Sequence, residues 1–145
     1  MMDHVVYVDH STNEMDKLLK GEKCMIIRAS MGRKTPYGRV KPGEILYFVN
    51  NNGDGLVRAA AVVKSVSNSD MMTPEESRKL LFLKKNELHL EITQLNDYLT
   101  KKYMVLVEVK DVCRIMEFKI DKTAIQNTDD WVPIENIDLL KKKTR

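Results

Sequence analysis

Leu18-Leu19-Lys20-Gly21-Glu22-Lys23-Cys24-Met25-Ile26-Ile27-Arg28 is the stretch on which the reading of this 145-residue chain turns. Its first half closes a helix and its second half opens a strand. Met15, Leu18 and Leu19 recur at helical spacing, and Gly21 stands where a helix C-terminal glycine takes a positive φ. Upstream, Ser11-x-x-Glu14 has the form of a capping box, with both side chains satisfying free backbone donors at the helix start. The spacing predicts a short helix over 12–20. Lys23 to Arg28 then reads as a strand. Strict alternation puts residues 24, 26 and 28 on one face and Lys23 on the other, unless a bulge intervenes.

Outward from this stretch the elements are short and mixed. His4 to Val8 is a β-branched run, a first strand or extended arm. After Arg28 comes a loop to Lys41 holding Gly32, Pro36 and Gly38, then a Pro42-Gly43 turn and a strand from Glu44 to Val49. Asn50-Asn51-Asn52-Gly53-Asp54-Gly55 is a hairpin turn into an Ala/Val strand ending near Val66. Thr73-Pro74-Glu75-Glu76 starts a helix, with a threonine cap, proline in the first turn and acids at the positive end of the helix dipole. A further helix is expected over 87–102, where Leu88, Ile92, Leu95 and Leu99 share one face. The plain reading of that face is core packing. Two strands follow, Tyr103 to Val109 and Cys113 to Ile120. Trp131 to Ile134 forms a last one, confined to an edge by Pro133. Hairpin joins and helices between strands do not fit parallel βαβ winding. They point to an α+β fold, a small, mostly antiparallel β-barrel with inserted helices.

Length and composition agree with one soluble domain. The hydrophobic share is 43% and the charged share 31%, and no apolar run reaches the roughly 20 residues that cross a bilayer. The acidic N-terminal residues do not resemble a signal peptide, so a cytoplasmic location is expected. The expected division is a single domain over 1–140 and a basic, mobile tail over 141–145. The net charge is only +3, yet residues 20–44 hold seven basic and two acidic side chains. One region is locally positive, the usual footprint of a phosphate-bearing ligand.

The segment around Gly21 resembles the signature of the ASCH family, a branch of the PUA-like β-barrels, whose pattern is G-x-K-x-x-E-x-R between a short helix and a strand. Gly21, Lys23 and Arg28 match at that spacing. The Lys41-Pro42-Gly43-Glu44 turn, the hairpin and the helical insertion follow in the family's order, over about residues 5–120. The resemblance implies a PUA-like barrel that binds RNA or a nucleotide. Members that hydrolyse acetylated cytidine carry a hydroxyl nucleophile on this strand, at what looks like the position of Ile26. Isoleucine can neither attack a carbonyl nor exchange a proton.

The candidate binding residues are Lys23, Arg28, Arg33, Lys34, Tyr37, Arg39 and Lys41. Lysine and arginine neutralise phosphates, and the ring of Tyr37 offers a surface for an unstacked base. The alternatives are ordinary ion pairs for Lys23 and Arg28 and a solvated basic loop for the rest. His4, His10 and His89 are scattered without a recognisable pairing to Cys24 or Cys113, which read as structural thiols, Cys24 remaining the nucleophile that a hydrolase would need. No zinc-ligand spacing, phosphate-binding loop or nucleophile elbow is present, so no cofactor, metal or catalytic residue is expected. Asp129-Asp130 reads as loop solvation. Two other functions stay open: a small hydrolase acting on a modified nucleoside in the same cleft, acetylcytidine amidohydrolase-like, and a regulator that binds another protein through the Leu88–Leu99 helix.

Overall fold

The structure is a computed structural model that describes residues 1–124 and 129–142. The elements in order are β1 (Asp3–Val8), α1 (Glu14–Leu19), β2 (Met25–Ser30), β3 (Ile45–Asn50), β4 (Leu56–Asn68), α2 (Pro74–Leu83), α3 (Lys85–Leu88), α4 (Ile92–Leu99), β5 (Tyr103–Lys119) and β6 (Trp131–Ile134). A 3-10 turn over Ile137–Leu140 follows β6.

The strands form one six-stranded sheet in the order β2-β5-β4-β3-β1-β6. Neighbours are antiparallel except β1 and β3, which run parallel with Val6 opposite Phe48. The register of β4 on β5 shifts three times. Such bulges raise local twist and bend the pair, which curls the sheet into a half-barrel. The backbone ladder does not close, because β2 and β6 are its two ends.

One buried cluster gathers side chains from all six strands, among them Val6, Ile26, Phe48, Val63, Val107 and Trp131. This is the inside of the curl, capped by Met15 and Leu18 of α1. On the opposite face of β2 and β5, Met25, Ile27, Met104 and Leu106 pack against Leu81 and Leu88 of the helical insertion. The alternation within β2, Ile26 inward and its neighbours outward, is the period-2 pattern of a strand covered on both faces.

Three local readings are corrected. Helix α1 begins at Glu14, after Asn13 in the left-handed region (φ 56°), and no side chain caps it. Glu14 turns inward: Asp9 N donates to its Oε1 at 2.8 Å, and its Oε2 lies 2.9 Å from Lys23 Nζ. A buried ammonium holds this carboxylate more strongly than a frayed backbone donor does. The expected 87–102 helix breaks where His89 takes φ 46°, leaving the short α3 and then α4. The two strands expected after Tyr103 are one 17-residue strand, which continues through Asp111 at φ 52°. Of the basic tail, Lys141 bridges Ile120 and Lys142 N donates to Lys119 O, so these two residues are tied to the sheet. The remaining tail, 143–145, lies outside the described residues.

A buried polar chain fastens β1 to its neighbours. Trp131 Nε1 donates to His4 Nδ1 at 3.1 Å, which fixes the ring proton of His4 on Nε2. Nε2 then donates to Glu44 Oε1 at 2.9 Å, and Met2 N and Lys41 N also donate to that carboxylate. Burial alone would raise the Glu44 pKa, but these donors outweigh it and hold the carboxyl below its ordinary range. A depressed carboxyl stabilises the fold fully above the unfolded value of about 4.3 and loses that contribution as pH falls through the folded value. Urea midpoints measured between about pH 6 and pH 3 should therefore fall with acid, and Glu44→Gln should start lower and fall less. An unchanged slope in the variant would remove Glu44 from the acid response.

Candidate nucleic-acid interface

Strand β2 leads into the basic loop, and its last residue, Ser30, pairs with Tyr103 at the start of β5. That pairing brings together segments about seventy positions apart. Beside them lies an open cleft of about 540 Å³, whose polar lining comes from Arg28, Ser30, Lys34, Tyr37, Lys101 and Tyr103 together with Asp129 and Asp130.

Arg28 stands at the deep end. Its Nη2 donates to Tyr7 O at 2.6 Å and its Nη1 to Ile27 O at 2.9 Å. Its Nε lies 3.1 Å from Asp130 Oδ2, an ion pair without hydrogen-bond alignment. Its guanidinium also lies 5.5 Å from the centre of the Trp131 ring. One side chain of β2 thus spans to β1 and to the start of β6, across the gap that the backbone leaves open.

The mouth is aromatic. The Tyr37 and Tyr103 rings meet edge to face, 5.9 Å apart at 89°, and Tyr37 Oη donates to Ser69 O at 2.6 Å. Exposed Arg33 lies over both rings, 5.6 Å from Tyr37 and 5.7 Å from Tyr103. Gly38 N donates to Asn68 Oδ1 and pins the far side of the loop to β4. Arginine on tyrosine is a cationic, planar platform of the kind on which a base stacks.

The structure separates the seven candidate residues into three groups. Arg28, Lys34 and Tyr37 line the cleft, and Arg33 sits above it. Arg39 and Lys41 are exposed but border a second concavity of about 660 Å³, formed with Met1, Met2 and Glu135. Lys23 is buried and borders neither. It precedes β2, so strand alternation does not govern it, and it reaches Glu14 on the same side as Arg28. Burial lowers the Lys23 pKa more than Glu14 raises it. Burial alone would raise the Glu14 carboxyl, but the charges of Lys23 and Arg28 hold it below its ordinary range. Tyr98 of α4 joins this group, its hydroxyl pushed up to about 12 by burial and placed within the fields of Arg28, Glu14 and Asp130.

Four residues of the cleft lay outside the candidate set, two of them, Asp129 and Asp130, read from sequence as loop solvation. Lys101 and Tyr103 are brought in only by the β2–β5 pairing. Asp129 and Asp130 face cations: Lys34 Nζ is 3.6 Å from Asp129 Oδ1. The cleft is therefore mixed in charge, with the carboxylates of Asp129 and Asp130 set beside the cations Lys34 and Arg28 and an edge-to-face tyrosine pair at its side. Burial and the carboxylates of Glu108 and Glu87 raise the Cys24 thiol pKa, the opposite of an activated nucleophile. Among the described residues no cluster of three His, Cys, Asp or Glu side chains could hold a metal ion, and no helix is long and apolar enough to cross a membrane.

Lys23→Ala should act through stability. It strands the Glu14 carboxylate in the interior, which costs about 3–5 kcal/mol. Replacing both partners, Lys23→Met with Glu14→Leu, should restore most of that loss in chemical denaturation. A double variant no more stable than the single one would show that the pair does more than neutralise itself.

The sequence matches no protein-family model and no curated protein. Three crystal structures of one protein share the fold. ASCH from Zymomonas mobilis aligns with a TM-score of 0.66 at 15% identity, over 90% of this chain and 85% of that one. A serine-to-alanine mutant of the same protein gives 0.66 at 14% identity, covering 90% and 86%. A tyrosine-to-phenylalanine mutant gives 0.64 at 13% identity, covering 90% and 88%. At these identities the likeness is one of architecture, and the chain has the α+β, PUA-like half-barrel fold of the ASCH proteins.

Proposed function

We propose that this protein binds RNA, or a nucleotide derived from it, in the cleft between β2, the basic loop and the start of β5. The observation that carries this reading is the platform at the mouth, where Arg33 lies over Tyr37 and Tyr103. A base stacks on such a surface, while Lys34 and Lys101 neutralise its phosphate. Asp129 and Asp130 add acceptors that can receive a base's exocyclic amino group, a contact that simple phosphate binders lack. Arg39 and Lys41 extend the positive surface along a longer strand, and Lys23 serves indirectly by neutralising Glu14 beneath Arg28. A cytoplasmic location is part of the same proposal.

Hydrolysis of a modified nucleoside is the competing reading. Ile26 is fully buried in the core cluster, which supports binding over chemistry at that position. Incubation with N4-acetylcytidine should therefore release no cytidine. Turnover would reverse this assignment.

The binding claim has its own test. Affinity for a single-stranded oligoribonucleotide should fall steeply with salt, because each neutralised phosphate releases counterions. Replacing Arg33, Lys34 and Lys101 together by alanine should weaken binding and flatten the salt slope by about one unit per lost phosphate contact. An unchanged slope would move the site off this cleft.

A further inference from the structure

The helical insertion carries a second, chemically different surface. On α2, Arg78, Leu81, Phe82 and Lys85 follow the i, i+3, i+4, i+7 spacing of a single helical face, although Lys85 lies just past the helix end. On α4, Ile92, Leu95, Asn96 and Leu99 repeat the same spacing. The two faces look at one another across a trough of about 260 Å³ that opens outward. Phe82 is 69% exposed and Ile92 77% exposed, so the apolar walls reach the surface. Phe82 and Ile92 thus leave an apolar groove, flanked by the two helices, open to solvent.

We propose that this trough docks a short amphipathic helix of another protein, one that carries acidic residues beside its apolar face. The trough's shape selects a helix, since two facing helical ridges leave a groove into which a third helix lays an i, i+3, i+4, i+7 stripe. Its length selects a short one: α4 has 8 residues, about 12 Å at 1.5 Å per residue, or roughly two turns. Its charge selects an acidic one. Among the described residues, the only ionisable side chains on its walls are Arg78 and Lys85, and no carboxylate lines it. Lys85 Nζ lies over the Phe82 ring at 4.5 Å, placed at the rim to meet an incoming carboxylate. The chain's own α1 is acidic, but its Glu14, Met15 and Leu18 are buried, so it cannot fill the trough of a second copy. This surface is separate from the cleft and does not depend on the RNA reading.

The probe is a fluorescein-labelled synthetic helix of about three turns with leucines at i, i+3, i+4 and i+7 and flanking glutamates, compared with the same peptide carrying lysines. Fluorescence anisotropy with the full chain should show saturable binding of the glutamate peptide and about tenfold or more weaker binding of the lysine peptide. Ile92→Asp should cost about tenfold or more in affinity, and its thermal melt should stay close to that of the parent because the side chain is exposed. Equal binding of both peptides, or an Ile92→Asp protein of unchanged affinity, would overturn the proposal. So would a dimer in light scattering that Ile92→Asp dissolves, since the trough would then belong to a second copy.

Discussion

The Arg28 guanidinium holds together what the backbone leaves apart. The sheet order places β2 and β6 at opposite ends, so an uncompensated curl would leave two edges facing each other. Arg28 spans that gap with a hydrogen bond to Tyr7 O, an ion pair to Asp130 and a contact over Trp131. Arginine suits the task because its planar fork donates in several directions and stacks on an aromatic face. Each hydrogen bond from such a charged donor contributes about 1.5–3 kcal/mol, and an orphaned buried acceptor costs about as much. Trp131 is tied in turn to His4 and Glu44, so the seam continues into the turn before β3.

The same residue organises the cleft. The pairing of Ser30 with Tyr103 brings the basic loop beside the start of β5, and the ion pairs of Arg28 with Asp130 and Lys34 with Asp129 place the two carboxylates among the cleft's cations. Under the floor, Lys23 and Glu14 neutralise one another, which keeps the charge near Arg28 balanced.

Much of this was legible before any coordinates. Gly21 and the apolar run after it mark the helix-to-strand step, and β2 follows strict alternation from Met25 onward. The threonine cap at Thr73 is as read, with Glu76 N donating to Thr73 Oγ1 and Thr73 N to Glu76 Oε1. What the sequence concealed is what long-range pairing decides. The parallel contact of β1 with β3 has no local signature, and Lys101 and Tyr103 reach the cleft only through β5. Glu14 looked like a cap because position and residue type fit one, yet a buried ammonium competed for it. The strand expected to end at Val109 instead continues through an irregularity at Asp111 to Lys119.

The account rests on Arg28 shielding the sheet's only tryptophan, Trp131, which is fully buried at the seam. Acrylamide quenching of Trp131 fluorescence therefore reads the clasp directly. Arg28→Met should raise the quenching constant while far-ultraviolet circular dichroism stays that of the parent, and Arg33→Met should leave quenching unchanged. An Arg28→Met protein whose tryptophan is as protected as the parent's would contradict the claim that this side chain closes the half-barrel.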